Sequence, residues 1–124
     1  MANELILIVE DNPKNLKLVR DILQVSGYLT VEAETGEEGV RLARERQPAL
    51  ILMDIQLPGM SGIEALGLLR ADATTRTIPV IAVTASVMAE DRQKVMAAGF
   101  DGFQGKPISV RELLATVRGI LEPA

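Results

Sequence analysis

The chain has 124 residues and contains neither cysteine nor histidine, and its only aromatic residues are one Tyr and two Phe. Without Cys there is no disulfide frame, no thiol nucleophile and no thiolate zinc site, which suits a reducing compartment. Without His the chain cannot supply a Ser-His-Asp triad, a histidine general base or a phosphohistidine of its own. Its chemistry therefore rests on carboxylates, hydroxyls and lysine. With so few rings, the core has to be built from Leu, Ile, Val, Ala and Met. Thirteen basic against seventeen acidic residues leave a net charge of -4, which argues against an electrostatic grip on nucleic acid or anionic lipid. Long apolar runs are also missing. The longest mostly apolar stretch, 78–89, is broken by Pro79, Thr84 and Ser86 and falls short of the ~18 residues that a membrane span needs. The opening MANELILIVEDN has no basic leader and meets acids after one short apolar run, so it does not read as a signal peptide. The balance fits a cytoplasmic protein of a single domain, 1–124, long enough to bury roughly two-thirds of its unfolded surface.

What is present is a repeated alternation of strand and helix signals. Leu5-Ile6-Leu7-Ile8-Val9 is a continuous apolar run, the pattern of a strand buried on both faces. Glu10-Asp11 follows it, and Asn12-Pro13 opens a helix whose apolar positions are Leu16, Val19, Ile22 and Leu23, with Gly27 closing it. The weaker strand 29–33 carries Glu32 and belongs nearer an edge. Thr35 and Glu38 have the spacing of a capping box, and the helix they open stops by about Arg46 because Pro48 forbids its continuation. Leu50-Ile51-Leu52-Met53 is a second unalternating run, and Asp54 stands at its end, before the turn residues of LPGMSG.

Ser61 and Glu64 mark the next helix, which is expected to fray into a polar loop over 72–77. IPVIAV, 78–83, is the fourth strand, ending in Thr84. A helix over about 87–98, a short strand in DGFQG at 101–105, Lys106-Pro107, and a last helix opened by Ser109 and Glu112 complete the chain. Five strand-helix units predict an α/β fold, a parallel sheet covered by helices on both faces. In such sheets ligands bind beyond the carboxyl ends of the strands, where Glu10, Asp11, Asp54, Thr84 and Lys106 all fall.

Three carboxylates gathered on one rim repel one another unless a cation joins them. Hard oxygen ligands on loop starts suit Mg²⁺, which keeps several waters and completes its octahedron with a phosphate oxygen. Lys106 adds a compact positive charge able to hold Asp54 ionised and then to pair with a phosphoryl oxygen. Asp54 is then fit to act as a nucleophile towards phosphorus, with the Thr84 hydroxyl offered to the same group. Taken one at a time, each residue has a plainer role. Asp54 reads as a turn residue, Glu10 and Asp11 as acids favouring a helix N-terminus, Thr84 as a strand end and Lys106 as a solvated charge. Their convergence on one rim is what favours the joint reading.

LILIVEDN, LILMDIQLPGMSG, PVIAVTAS and GKPIS resemble the receiver domain of two-component response regulators, over essentially the whole chain. Within that family, EDNPKN, MDIQLPGMSG and KPIS are most similar to stand-alone cell-division regulators of the DivK type and to receivers fused to hybrid kinases. The resemblance implies a flavodoxin-like doubly wound sheet of order 2-1-3-4-5. It implies Asp54 as phosphoacceptor and Mg²⁺ held by Asp11, Asp54 and the main-chain carbonyl of Gln56, with Glu10 acting through water. It further implies Thr84 and Phe103 as switch residues and a cis peptide bond before Pro107.

The implied partners are a sensor histidine kinase or a histidine phosphotransfer protein as phosphodonor, and a downstream target docking on the face built from 87–121. Val87, Met88 and Val110 are candidate apolar contacts there. With the last helix ending near Leu121, no output domain is expected, and any output is expected to pass through binding to another protein.

Two positions depart from the family pattern. The aromatic residue three before the lysine is Phe103, where the family usually has Tyr, so it cannot hydrogen-bond in either rotamer. The acidic pair is Glu-Asp, which moves the first carboxylate one methylene outward and is expected to preserve metal binding. Two rivals are an interaction module that never receives phosphate, and a Mg²⁺-dependent phosphohydrolase with an aspartate nucleophile. The second, as the haloacid dehalogenase family builds it, has another acid two residues after the nucleophile, and Gln56 stands there.

Overall fold

A computed structural model describes residues 4–85 and 89–122. The strands are β1 (Leu5–Val9), β2 (Leu29–Ala33), β3 (Leu50–Asp54), β4 (Val80–Thr84) and β5 (Gly102–Gly105). The helices are α1 (Pro13–Val25), α2 (Gly36–Arg46), α3 (Gly62–Ala71), α4 (Ala89–Ala97) and α5 (Val110–Leu121). All strand pairs are parallel, in the order β2-β1-β3-β4-β5. β2, the strand carrying Glu32, is an edge, and the uninterrupted apolar runs of β1 and β3 are interior.

Alternation along each interior strand divides the core into two layers. Leu7, Val9, Ile51, Met53, Val80 and Ala82 point to the layer containing Val40, Leu66, Val95 and Phe100. Ile6, Ile8, Leu50, Leu52, Ile81 and Val83 point to the layer with Leu16, Leu23, Tyr28, Leu113 and Val117 from the α1 and α5 side. The two-residue period therefore sends Glu10 and Asp54 to the same side of the sheet as α1 and α5. The register brings them level, because Val9 pairs with Met53 and Asp54 with Val83.

Helix starts follow their capping residues, with two refinements. The Asn12 side chain accepts from the amides of Lys14 (2.9 Å) and Asn15 (3.2 Å), with Pro13 at the first helical position. Ser61 and Glu64 form a complete reciprocal box. At Thr35 the box is displaced: its hydroxyl accepts from Glu38 N, but the Glu38 carboxylate accepts from the Glu34 amide instead. At Ser109 the side chain accepts from Glu112 N at 3.4 Å, and among the described residues no return bond from the Ser109 amide to the Glu112 carboxylate completes the box. α2 ends at Arg46 through the left-handed Gln47 (φ 46°), whose side-chain amide donates to the Ala43 and Arg44 carbonyls.

Three expectations shift. Strand four begins at Val80 rather than at residue 78, since Ile78 belongs to the preceding turn and donates its amide to the Thr75 carbonyl. The polar stretch after α3 is a compact turn rather than a fraying end: Thr75 is fully buried and its hydroxyl donates to the Leu69 carbonyl at 2.7 Å. Strand five starts at Gly102; Asp101 precedes it, its amide donating to the Val80 carbonyl at 2.8 Å and its carboxylate accepting from the Val80 amide at 2.9 Å. Val87 and Met88, and the expected start of the fourth helix, lie outside the described residues. Val110 is 53% exposed.

Candidate functional site

The carboxyl ends of β1 and β3 and the segment after β5 bring a cation between two buried acids. The Lys106 ammonium lies 3.0 Å from Asp54 Oδ2 and 3.1 Å from Glu10 Oε1, whose side chains are only 3% and 5% exposed. The other oxygen of each acid is also engaged: Asp54 Oδ1 accepts from the Gln56 amide at 3.0 Å and Glu10 Oε2 from the Asn12 amide at 3.1 Å. Asn12 thus both caps α1 and steadies Glu10, and the second role has no signature in the sequence. Asp11 is exposed at the rim, and Glu10, Asp11 and Asp54 each offer one oxygen within 4.8 Å of the others.

Burial, then the neighbouring Asp54, raises the Glu10 carboxyl from its usual 4.5 to about 7. Burial works against the Lys106 ammonium, yet the hydrogen bonds and charges of Asp54 and Glu10 outweigh it and raise its pKa. The pair of acids is therefore short of positive charge even with lysine present. Three hard oxygen donors at short mutual reach form a donor set that fits a small divalent cation.

The remaining predicted residues surround this cluster. Thr84 is buried at the end of β4, level with Gly105, and its carbonyl accepts the Lys106 amide at 2.8 Å. Gln56 is exposed in the turn after β3. The Lys106-Pro107 peptide bond is cis. Phe103 does not join the carboxylate cluster; it is half-buried against the layer under α2, α3 and α4. There the Arg92 guanidinium lies over its ring, 4.7 Å from the centroid. Nothing in the sequence links those two residues, because the contact depends on how α4 lies on β5.

Fold and rim together define a flavodoxin-like α/β domain with an acid-lysine cluster at its strand ends. A family model of the response regulator receiver domain matches residues 6–118, and the chain belongs to that family. It is 46% identical over 119 residues to the polar-differentiation response regulators DivK of Brucella ovis and Brucella anthropi, covering 96% of this chain and 97% of each relative. Among solved structures, the receiver domain of a sensor histidine kinase from Pseudomonas aeruginosa, which holds a magnesium ion in its active-site cleft, superposes with a TM-score of 0.89. The two are 33% identical, and the match covers 97% of this chain and 98% of that one. A chemotaxis response regulator of Vibrio cholerae is 26% identical with a TM-score of 0.90, over 96% of this chain and 99% of its own. The protein is therefore a DivK-like receiver in two-component signalling. Among the described residues no helix is long and apolar enough to cross a membrane.

Proposed function

We propose that Asp54 is the phosphoacceptor, taking a phosphoryl group from a phosphohistidine on a sensor histidine kinase or a histidine phosphotransfer protein. The observation that carries this reading is the position of the Asp54 carboxylate: buried at a strand end, 3.0 Å from a lysine ammonium and beside two further acids. An Asp54 oxygen attacks phosphorus as the phosphorus-nitrogen bond breaks. The bonding pair stays on the imidazole, which takes a proton from solvent. Lys106 pairs with the Asp54 carboxylate beforehand and shifts to a phosphoryl oxygen afterwards, and the Thr84 hydroxyl turns to the same group.

Asp11, Asp54 and the Gln56 carbonyl would hold Mg²⁺, with Glu10 acting through water. When bound, the ion neutralises charge on the phosphoryl oxygens. As Thr84 is drawn in, Phe103 moves into the space it leaves, and the surface over 87–121 changes for a downstream target. The protein acts by this change of partner rather than by turnover of a substrate, in the cytoplasm, where kinases are phosphorylated by ATP.

The test is incubation with Mg²⁺ and phosphoramidate, with the acid-labile phosphate located by mass. One phosphoryl group on Asp54, lost in a folded Asp54→Asn variant, is expected. Label persisting on that variant would refute the assignment. No phosphorylation and no response to beryllium fluoride would favour the plain interaction module, and steady release of phosphate from esters without a kinase would favour the hydrolase.

A further inference from the structure

The first turn of α3 lies directly on the backbone that carries the phosphoacceptor. A Cβ placed on Gly62 would overlap the Asp54 carbonyl oxygen, and would stand 2.9 Å from Ile55 Cα and 3.0 Å from the Asp54 carbonyl carbon. Every one of these neighbours is main chain, so no flexible side chain can swing away to make room. The close approach is also bonded: the Gly62 amide donates to the Ile55 carbonyl at 3.0 Å, while the Ile55 amide donates to the Val83 carbonyl at 3.0 Å. The turn between them is thus fixed at both ends, to β4 and to α3. Within it the Gln56 amide donates to Asp54 Oδ1 at 3.0 Å, so the side chain of Asp54 and the plane of the Gln56 peptide are set by the same loop. The Ser61–Glu64 capping box holds the helix start that presses on it.

We propose that Gly62 is a positioning residue for this site: the absence of a side chain there lets α3 seat the Asp54 carboxylate and the Gln56 carbonyl in one fixed relation. The inference rests on Asp54 being the phosphoacceptor and adds a residue that touches neither phosphate nor metal. Any larger residue must push α3 and the β3 end apart by a good part of an ångström. Displacements of that size at a reacting centre cost up to about a hundredfold in rate.

The same helix supplies two controls. Gly67 has nothing within 4 Å of an added Cβ, and Leu69 is fully buried in the core away from the acids. Gly62→Ala, Gly67→Ala and Leu69→Ala are compared with wild type at a temperature where circular dichroism shows each to be folded. Three quantities are read: the Ile55 and Gln56 amide shifts in metal-free protein, Mg²⁺ affinity by calorimetry, and the rate of phosphorylation by phosphoramidate. Gly62→Ala is expected to move both amides, weaken Mg²⁺ binding and slow phosphorylation by about tenfold or more. Leu69→Ala should lose stability without these changes, and Gly67→Ala should show neither loss.

Wild-type values in Gly62→Ala, or equal losses in Leu69→Ala, would overturn the inference. If Gly62→Ala does not fold, Ser61→Ala, which frees the first turn of α3, is expected to shift the same amides, and its failure to do so overturns the inference equally. Should wild type itself take no phosphate, the phosphoacceptor reading fails, while the amide shifts and Mg²⁺ affinity still decide whether Gly62 sets the site.

Discussion

The Lys106 ammonium sits 3.0 Å from Asp54 Oδ2 although β4 lies between their strands, and it is held at the same time 3.1 Å from Glu10. Removing the cation leaves two buried carboxylates facing each other without a counter-charge. Lys106→Ala should destabilise the metal-free protein by about 3 kcal/mol near pH 8. The loss should be smaller near pH 5, where Glu10 takes up a proton. Urea unfolding at the two pH values in the presence of a chelator checks this, and an equal loss at both contradicts it.

Glu10 supplies the matching pH dependence. Its folded pKa of about 7 lies above the ordinary 4.5, so the folded state binds the proton more tightly than the unfolded chain. The stability from this group is complete below pH 4.5 and is lost as the pH rises through 7. Relative to Glu10→Gln, wild type should lose on the order of 3 kcal/mol over that window, leaving the variant the more stable above it. Saturating Mg²⁺ should shrink the difference. Paired urea titrations across the range measure it, and a difference that does not change with pH would remove the basis of the claim.

Arg70 is the corner brace of the opposite layer. Its guanidinium donates to the carbonyls of Arg76, Ile78 and Gly99 and to Asp101 Oδ2, the last at 2.8 Å, while Asp101 also accepts the Val80 amide. Arg70→Ala leaves several of these acceptors unmatched and should cost about 2 kcal/mol. It touches none of the rim residues, so the phosphorylation rate of the folded variant should stay within about twofold of wild type. A stability change below a few tenths of a kcal/mol would show that water replaces the guanidinium without loss.

The legibility of this molecule followed the range of each interaction. The apolar runs of β1 and β3, the proline after α2 and the Asn12-Pro13 start are local signals, and the elements formed where those signals lie. The rim was legible because strand ends in a parallel sheet converge by topology, so Glu10, Asp54 and Lys106 could be brought together without knowing a single distance. Contacts made between elements left no such mark. The turn of Thr75 under α3, the Arg70 brace and the approach of Gly62 to Asp54 depend on how helices seat on the sheet. The half-formed caps at Thr35 and Ser109 show the same limit at short range. The spacing of the residues was right, but which amide the glutamate meets is decided by side-chain geometry.

Phe103 has no hydroxyl with which to anchor itself, and its position is instead supported by the Arg92 guanidinium, 4.7 Å from the ring centroid. Such a contact contributes about 0.5–1 kcal/mol at an exposed site. That is enough to bias a ring between two rotamers by several-fold, so Arg92→Ala should release Phe103 towards other positions even without phosphate. The chain has only one other phenylalanine, Phe100, which is buried at 5% exposure. With both rings labelled as fluorophenylalanine, the fluorine signal of Phe103 should shift and narrow in Arg92→Ala, while that of Phe100 stays in place. Arg92→Lys, which keeps the charge but loses the planar stack, should fall between the two. If the Phe103 signal is the same in all three proteins, the ring is held by its packing against the core and the guanidinium has no part in its position.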